Sequence, residues 1–371
     1  MNVSEVVVAG GGVAGAMAAC LLAQAGVQVV LLERETLPRH KICGEFISIE
    51  AQAFLARSGL DLAALGAHRV AAMRLISGDR VAEAALPFIG MGLSRLALDA
   101  ALLLRAQWCG AQVLRGCCIR HIAHEARFVL DVGGIGNVVA DTLFLATGKH
   151  DLRGWARRPA HAPEDLIGFK MHYRLLPSQA RALSGHVELL LFPAGYAGLQ
   201  MVEQERVNLC LLVQRGYVAR AGGGWAGLLA ALLCESAHLR ERLAGSQALM
   251  DQPLSIFRVP YGFVHRASAD EPERLFRLGD QVAVTPSFSG DGMAIALHSA
   301  ALAVRTFLAG DGARRYHRRM GRDVRSQIGA SMALYRMGQT SNGRRLMMSA
   351  AQIWPQSLTL AAALTRLRAA Q

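Results

Sequence analysis

Two widely separated glycine-rich segments contain the residues whose types and spacing could do chemistry. The first matches G-x-G-x-x-G, with glycines at Gly10, Gly12 and Gly15 and with Ala14 inside the same loop. In such a loop the first glycine permits a tight turn, the second lets backbone approach a pyrophosphate, and the third lets the following helix pack closely. The free N–H groups and the dipole of that helix attract phosphate. The loop therefore predicts a dinucleotide site that these four residues contact.

An acidic residue, Glu33, ends the apolar run that follows this loop. At that place a carboxylate can accept hydrogen bonds from the ribose hydroxyls of a bound dinucleotide. The order of strand, glycine loop, helix, strand and acid makes a ligand-free glycine turn a poor explanation. It does not distinguish NAD from FAD.

The second segment, which starts at Gly279-Asp280, makes that distinction. A carboxylate at Asp280, after a predicted strand end, can bind a ribityl hydroxyl, which only a flavin has. A helix is predicted to begin near Gly290, Gly292 and Met293, and its positive end would face the flavin pyrimidine, where a reduced flavin is negatively charged. The two segments together predict one FAD site, which these residues contact.

The hydrophobic pattern predicts the elements that must position these loops. Continuous apolar runs fit strands buried on both faces of a parallel sheet, so the first 33 residues read as a βαβ unit. The predicted strands of the first half are Glu5–Ala9, Val27–Leu32, Gln112–His121, Arg127–Val132 and Asn137–Ala146, and the predicted helices of the dinucleotide-binding part are Val13–Ala25, Ser94–Trp108 and Gly292–Leu308.

The character of the chain changes near Ile167. Apolar residues such as Phe169 alternate there with Lys170 and His172, which predicts a half-exposed antiparallel strand. The fold class is α/β, with a Rossmann-like FAD-binding domain, an inserted antiparallel-sheet substrate domain and a helical C-terminus. The predicted domains are residues 1–160 with 270–312 for FAD, residues 161–269 with about 68–92 for the substrate, and the helical segment 313–371; one helix is expected over Trp225–Leu243.

Composition limits the partners. Apolar residues make up 52% of the chain, enough for a sizeable core, and the 6% of aromatic residues argues against a base-stacking nucleic-acid surface. The net charge of +12 includes an arginine-rich C-terminal helix, which is either a solvated face or a peripheral contact with an anionic membrane or a carrier protein. Seven cysteines without framework or metal-ligand spacing, and a start directly in a strand, predict a cytoplasmic protein, with the periphery of the inner membrane face as the alternative, and no metal site.

Three sequence stretches together resemble a known family. They are Arg34 with Pro38–Ser48, Arg95–Asp99 and the late Gly-Asp segment, and they are similar to the geranylgeranyl-reductase branch of the p-hydroxybenzoate hydroxylase superfamily. The resemblance implies one FAD, reduced by NADPH, NADH or another donor, between a Rossmann-like domain and a sheet-based substrate domain. It implies that the basic residues contact FAD and that two residues lie beside the isoalloxazine as catalytic candidates; the former are Arg34, Arg39, Lys41 and Arg95, and the latter are Cys43 and Gly44. A buried cysteine that only packs is the alternative for Cys43.

The chain departs from the superfamily in three places. Thr147 stands where hydroxylases carry the Asp of an Asp-Gly motif, which questions a hydroxylase-type NAD(P)H interaction. The W-x-W-x-I-P signature of tryptophan-type halogenases is absent from the sequence. The stretch Leu191–Gly198 resembles the aromatic–Phe–Pro region of isoprenoid reductases but lacks its leading aromatic residues.

An apolar substrate pocket is predicted around four aromatic residues, Phe192, Tyr196, Tyr261 and Phe288, with packing in the sheet core as the alternative for each. The favoured hypothesis is an FAD-dependent monooxygenase that acts on a hydrophobic aromatic or polyketide-like small molecule with reduced flavin and O2. The alternatives are a flavin-dependent reductase of C=C bonds in an isoprenoid or lipid-like substrate, a non-catalytic flavin-binding protein, and an NAD-only dehydrogenase.

Overall fold

The computed structural model describes residues 2–159 and 165–367, which form two sheets and the helices around them. The strands are β1 (Asn2–Ala9), β2 (Val29–Glu33), β3 (Phe46–Ile47), β4 (His68–Ser77), β5 (Arg80–Gly92), β6 (Gln112–Arg115), β7 (Ile119–His124), β8 (Phe128–Val132), β9 (Gly136–Leu145), β10 (Leu166–Arg174), β11 (Gly185–Phe192), β12 (Gly195–Met201), β13 (Val207–Gln214), β14 (Gln247–Ala248), β15 (Leu254–Phe257) and β16 (Leu275–Arg277). The helices are α1 (Val13–Gln24), α2 (Ile49–Arg57), α3 (Arg95–Trp108), α4 (Pro177–Leu183), α5 (Arg215–Arg220), α6 (Gly224–Glu235), α7 (Ala237–Leu243), α8 (Gly292–Leu308), α9 (Ala313–Gln339), α10 (Ser341–Ile353) and α11 (Gln356–Leu364).

The first sheet brings the two glycine-rich segments together. Its strand order is β6-β2-β1-β9-β8-β7, and β16 pairs with β9. Strands β1, β9 and β16 run parallel to one another, so their carboxyl ends meet at one edge of the sheet. The loop at Gly10, the stretch at Thr147 and the turn at Gly279 follow these three ends. Helices α3 and α8 both pack against α1 in the adjoining core.

The second sheet has the order β14-β10-β13-β12-β11-β4-β5-β3, with β15 paired to β10. Its pairs are antiparallel except for β11 with β4, which are parallel. One face carries Phe169, Leu209 and Leu211, which pack with residues of α6 and α7 in a separate core. The predicted fold class is confirmed: a parallel Rossmann-like part, a largely antiparallel sheet and a helical C-terminus.

The prediction that β10 is half-exposed is wrong. Lys170 and His172 are 0% and 1% exposed, although they alternate with the apolar residues of the strand. The alternation separates two buried faces, because the polar side chains are covered by the residues around Glu45 and bind its carboxylate. Two further elements are divided. The strand predicted over Gln112–His121 is two strands, β6 and β7, and the helix predicted over Trp225–Leu243 breaks at Ser236, whose Oγ accepts a hydrogen bond from the first turn of α7.

The C-terminal helices cover the second sheet. Helix α9 packs against α8, and α10 and α11 lie against β4 and β5. Met348, Ala351 and Leu358 share a core with Leu75 and Ala82 of that sheet. Among residues 2–159 and 165–367, no helix combines the length and the apolar character needed to cross a bilayer. Strands β4 and β5, within residues 68–92, belong to the second sheet. The predicted domain limits stay a prediction, and the limit between residues 160 and 161 lies outside the described residues.

A buried ion cluster in the second sheet generates a stability prediction. Glu188, 0% exposed, binds Arg242 at 2.6 Å and Arg74 at 3.1 Å, and Arg74 also pairs with the half-exposed Glu83. Glu188→Gln leaves buried guanidinium charge uncompensated, so we expect it to lower the free energy of unfolding by about 3–5 kcal/mol in urea titrations. Glu83→Gln is the matched control, and about 1 kcal/mol or less is expected from it. Equal effects of the two variants would contradict the assignment.

Candidate functional site

The first glycine loop is fixed by close backbone contacts. Gly10 has φ +110°, and a Cβ there would lie 2.5 Å from the Ala146 carbonyl oxygen; a Cβ at Gly15 would lie 1.9 Å from the Gly10 oxygen. Both positions therefore require glycine. Glu33 braces the loop from the end of β2, because its Oε2 accepts a hydrogen bond of 2.7 Å from the Gly11 N–H. The loop presents its backbone at the N-terminus of α1, as a phosphate cradle does.

Two cations stand over this loop. A Cβ at Gly12 would lie 3.5 Å from Arg95 Nη2 and 3.8 Å from Lys41 Nζ. The buried carboxylate of Asp99 holds both: Lys41 Nζ is 2.8 Å from Oδ2, and the Arg95 guanidinium donates bonds of 2.7 and 2.9 Å. Burial alone raises the pKa of Asp99, but Arg95 and Lys41 outweigh it and keep that pKa below its usual value. Two cations on one carboxylate leave net positive charge beside the loop, which fits a diphosphate.

The second segment touches the first. A Cβ at Gly279 would lie 3.2 Å from the Ala14 Cβ, so the turn after β16 lies directly against the loop before α1. Asp280 lines a groove together with Gly12 and Ala14, and it forms an ion pair of 2.9 Å with Lys149 Nζ. Burial raises the pKa of Asp280, and Lys149 overcomes this and lowers it. The sequence hypothesis missed Lys149. Its position two residues after Thr147, where the hydroxylase motif is altered, was the available signal.

The N-terminus of α8 faces the groove with its backbone donors. Asp291 precedes the helix but makes no side-chain bond to its first turn. Instead its buried carboxylate accepts bonds from Ser48 Oγ at 3.0 Å, from the Leu367 N–H at 2.7 Å and from Gln327. Burial raises the pKa of Asp291 to about 6. The positive end of α8, at Gly292, is therefore left for a ligand in the groove.

Seven of the thirteen predicted FAD residues line one groove, and six do not. The groove is lined by Gly12, Ala14, Cys43, Gly44, Arg95, Asp280, Gly290, Gly292 and Met293, among others. These residues fit FAD: a glycine cradle with paired cations for the diphosphate, a carboxylate for the ribityl chain, and a helix N-terminus for the pyrimidine. Of the six, Gly10 and Gly15 shape the loop, Glu33 braces it, and Lys41 lies beside it. The other two, Arg34 and Arg39, lie on the surface, 46% and 48% exposed, each 2.8 Å from Glu35.

A buried carboxylate that the sequence analysis missed, that of Glu45, holds the segment from Cys43 to Glu45 in place. Glu45 is 0% exposed and has φ +62°. It binds Lys170 and accepts 2.8 Å and 2.7 Å bonds from His172 Nε2 and the Arg95 N–H. Burial raises the pKa of Glu45, but His172 and Lys170 outweigh it and lower that pKa, so the carboxylate stays ionised. Asn208 Nδ2 donates to the Cys43 and Gly44 carbonyl oxygens at 3.0 and 2.9 Å. The second sheet thus sets the position of Cys43 and Gly44 in the groove.

An apolar cavity of about 140 Å³ opens onto this groove. The two spaces share five lining residues, which are Gly44, Phe46, Cys210, Ser287 and Gly290. Other walls are Met73, Leu75, Phe88, Leu189, Gly198, Met347, Leu358 and Ala361. A larger cavity of about 530 Å³, lined by Phe192 and Leu232 among others, shares no residue with the groove, so a substrate there would not meet the flavin.

Of the four predicted pocket residues, three come together. Tyr196 and Phe288 line the cavity, and Tyr261 lines the groove. Phe192 does not join them. It points to the opposite face of the sheet and packs with its ring 6.0 Å from Tyr217, because neighbouring residues of a strand alternate between faces and Leu191 packs in the core that contains Tyr196.

Three hydroxyl groups meet where cavity and groove join. Tyr196 Oη lies 2.7 Å from Tyr261 Oη and 2.7 Å from Ser287 Oγ, and Tyr261 also bonds Ser287. Both phenol oxygens also accept hydrogen bonds from the backbone. Tyr261 Oη accepts from the Ser287 N–H at 3.1 Å, and Tyr196 Oη accepts from the Phe288 N–H at 3.2 Å. Burial raises the pKa of both tyrosines, so they remain protonated. We name these three groups the hydroxyl trio; it can carry a proton between groove and cavity.

The groove geometry generates a binding prediction. We expect Asp280→Ala to weaken FAD retention by about 10- to 100-fold, because a buried charged hydrogen bond contributes about 1.5–3 kcal/mol. The measurement is FAD content and affinity by absorbance and fluorescence titration of purified protein. Asp79→Ala, in the turn between β4 and β5, is the control and should retain FAD. Unchanged flavin content in the Asp280 variant would remove this residue from the site.

Comparisons with known proteins agree with this geometry. A model described as an FAD binding domain matches residues 3–71. The menaquinone reductase of Mycobacterium tuberculosis (strain ATCC 25618 / H37Rv) is 29% identical over 200 residues, which are 50% of this chain and 48% of that protein. The chloroplastic geranylgeranyl diphosphate reductase of Oryza sativa subsp. japonica is 38% identical over 125 residues, 32% of this chain and 26% of that one. The chain thus matches less than half the length of these curated relatives.

Solved structures show the same fold. The flavin-dependent brominase Bmp2 superposes with a TM-score of 0.78 and 16% identity, covering 98% of this chain and 94% of that one. P. aeruginosa PqsL in complex with 2-aminobenzoylacetate gives a TM-score of 0.73 and 15% identity over 94% and 99%. The recognition made from the motifs is confirmed: the chain has an FAD-binding domain and a flavoenzyme fold, and it resembles the geranylgeranyl-reductase branch of the p-hydroxybenzoate hydroxylase superfamily.

Proposed function

We propose that the chain is an FAD-dependent monooxygenase that acts on a hydrophobic aromatic or polyketide-like small molecule. The observation that carries the proposal is the compact apolar cavity that opens onto the flavin groove at the hydroxyl trio. Phe46, Phe88 and Phe288 bring aromatic rings to its wall, against which a planar ring can pack. A volume of about 140 Å³ suits a single ring better than a long chain.

The chain's own residues bind and orient the cofactor. Gly12, Arg95 and Lys41 would hold the diphosphate, and Asp280 would hold the ribityl chain. When bound and reduced by NADPH or NADH, FAD would supply the electrons that activate O2, so that one oxygen atom of O2 could enter an electron-rich ring and the other could be reduced to water. The N–H groups at the start of α8 stabilise negative charge on the pyrimidine side of the site.

The hydroxyl trio would donate protons in this reaction. Ser287 Oγ lies at the boundary of groove and cavity, and Tyr196 Oη and Tyr261 Oη bond it from the two sides. A proton given by Ser287 Oγ to the departing oxygen would be replaced from a neighbouring phenol, and that phenol would regain its proton from solvent before the next turnover. The apolar walls, among them Leu75, exclude water from the rest of the cavity.

A second reaction has its own support. The two curated relatives are named as reductases, which favours saturation of a C=C bond in an isoprenoid or lipid-like substrate. The altered stretch at Thr147 also favours a reductase over a hydroxylase-type NAD(P)H interaction. For that reaction a bound, reduced FAD would supply a hydride to one carbon of the C=C bond, and the trio would supply the proton that the other carbon takes as the π bond breaks.

One experiment separates the two reactions. The FAD-loaded protein is mixed anaerobically with NADPH or NADH, then with O2, in the presence of an alkyl-substituted phenol or of geranylgeranyl diphosphate. We expect the phenol to accelerate flavin reduction, and ¹⁸O2 to label the product. A saturated isoprenoid product formed without O2 would replace the monooxygenase proposal by the reductase. Flavin that no donor reduces under any of these conditions would favour a non-catalytic flavin-binding protein.

A second prediction concerns the trio. We expect Ser287→Ala and Tyr261→Phe each to lower turnover about 100-fold, the usual size of a general acid effect, with FAD content unchanged. A solvent isotope effect on turnover should grow in these variants. The control is Tyr217→Phe, a tyrosine on the opposite face of the sheet that bonds Glu235. Turnover that is equal in all three variants would exclude a proton role.

A further inference from the structure

Exposed large apolar side chains are concentrated in the last two helices. Their exposed fractions are 62% for Leu346, 86% for Ile353, 53% for Trp354, 48% for Leu360 and 46% for Leu364. Single exposed apolar residues are common on protein surfaces, but five within the short stretch from Leu346 to Leu364 are a concentration of the kind that marks an interaction site.

The five side chains follow helical spacing. Leu346 and Ile353 are seven residues apart on α10, and Leu360 and Leu364 are four apart on α11, so each pair shares a face. Trp354 joins the two helices. The opposite side of the pair is buried against the second sheet through Met348, Ala351 and Leu358. We call the five exposed residues the apolar ridge; the pair is therefore apolar on both sides, which a helix pair with one packed face does not need.

Unpaired positive charge accompanies the ridge. Arg345 is exposed next to Leu346, and Arg336 is exposed in the last turn of α9. Along α9, Arg318, Arg322 and Arg325 recur every three or four residues on the exposed side. Within the described part of the chain, none of these five arginines forms an ion pair. Their charge contributes to the net +12 and calls for an anionic partner.

We propose that the apolar ridge docks on the surface of an anionic lipid bilayer, with its side chains among the acyl chains and the arginines at the headgroups. Helices of 13 and 9 residues are too short to span a bilayer, but they suit an interfacial position. The neighbouring positively charged helix fits anionic lipid better than a second copy of the same basic chain, which would repel it.

The helix pair that carries the ridge also lines the apolar cavity, which links docking to access of a substrate. Leu358, Ala361, Ala362 and Thr365 of the same helix pair form a wall of the apolar cavity. Docking would place that wall beside the phase in which a hydrophobic substrate dissolves. The docking surface does not depend on which reaction the site performs.

The test is co-sedimentation of the FAD-loaded full chain with vesicles. Vesicles of phosphatidylcholine with phosphatidylglycerol are compared with vesicles of phosphatidylcholine alone, at low and at physiological ionic strength. We expect the wild type to bind the anionic vesicles preferentially and more weakly as salt rises. Ile353→Glu with Leu360→Glu should lower the partition more than tenfold, and Arg336→Gln with Arg345→Gln should lower it about tenfold on anionic vesicles only.

Controls keep folding and catalysis separate from docking. Trp108→Glu changes a residue that is 79% exposed on α3 and should sediment as the wild type does. FAD absorbance and circular dichroism show that each variant is folded, and flavin reduction by NADPH reports on the site alone. Wild type that stays in the supernatant with anionic vesicles, or ridge variants that bind as well as wild type, would overturn the proposal. A wild-type dimer in gel filtration that the ridge substitutions dissociate, without vesicle binding, would identify a second copy as the partner instead.

Discussion

A single buried carboxylate, that of Glu45, joins the two halves of the site. Its side chain is 0% exposed, and burial opposes its ionisation. His172 and Lys170 keep the carboxylate ionised, and it also accepts a hydrogen bond from a backbone N–H of α3. The segment from Cys43 to Glu45 lies in the flavin groove, whereas Lys170 and His172 belong to the second sheet. Because the ion cluster spans both, the groove cannot form with the second sheet displaced. The cofactor site and the cavity are consequently one unit of structure.

The N-terminus of α8 is tied to the C-terminal segment in a comparable way. The Asp291 side chain turns away from the helix start and binds α9 and the backbone N–H at Leu367. This frees the helix end for the groove and fixes the residues that follow α11, which helps to hold α11 as a wall of the cavity. The C-terminal helices therefore help to form the cavity, and they also carry the apolar ridge. The same helices would influence both the entry of a substrate and the geometry of the cofactor site.

Local sequence patterns predicted the cofactor half because its chemistry is local. The glycine loop, the Ser94 cap of α3 and the start of α8 are each set by a few consecutive residues, and parallel strands force their loops to one edge. The polar contacts between elements were not predictable. The alternation around Lys170 indicated two faces but not what covers the second, and its partner Glu45 is 125 residues away. The prediction that Phe192 lines the pocket was wrong for a related reason, since its aromatic character does not indicate on which face of β11 its side chain lies.

The hydroxyl trio also bears on the choice between reactions. Tyr196, Tyr261 and Ser287 place three oxygen atoms at the cavity mouth, and burial keeps the two phenols protonated. A hydrocarbon alkene offers these groups no hydrogen-bond partner, so they would not contribute to its binding, although they could still donate a proton to it. A substrate with a phenolic or carbonyl oxygen at the mouth and an apolar body in the cavity can use both features at once. Polar recognition at the mouth combined with ring-lined apolar walls therefore favours an oxygen-bearing aromatic molecule over a plain isoprenoid chain.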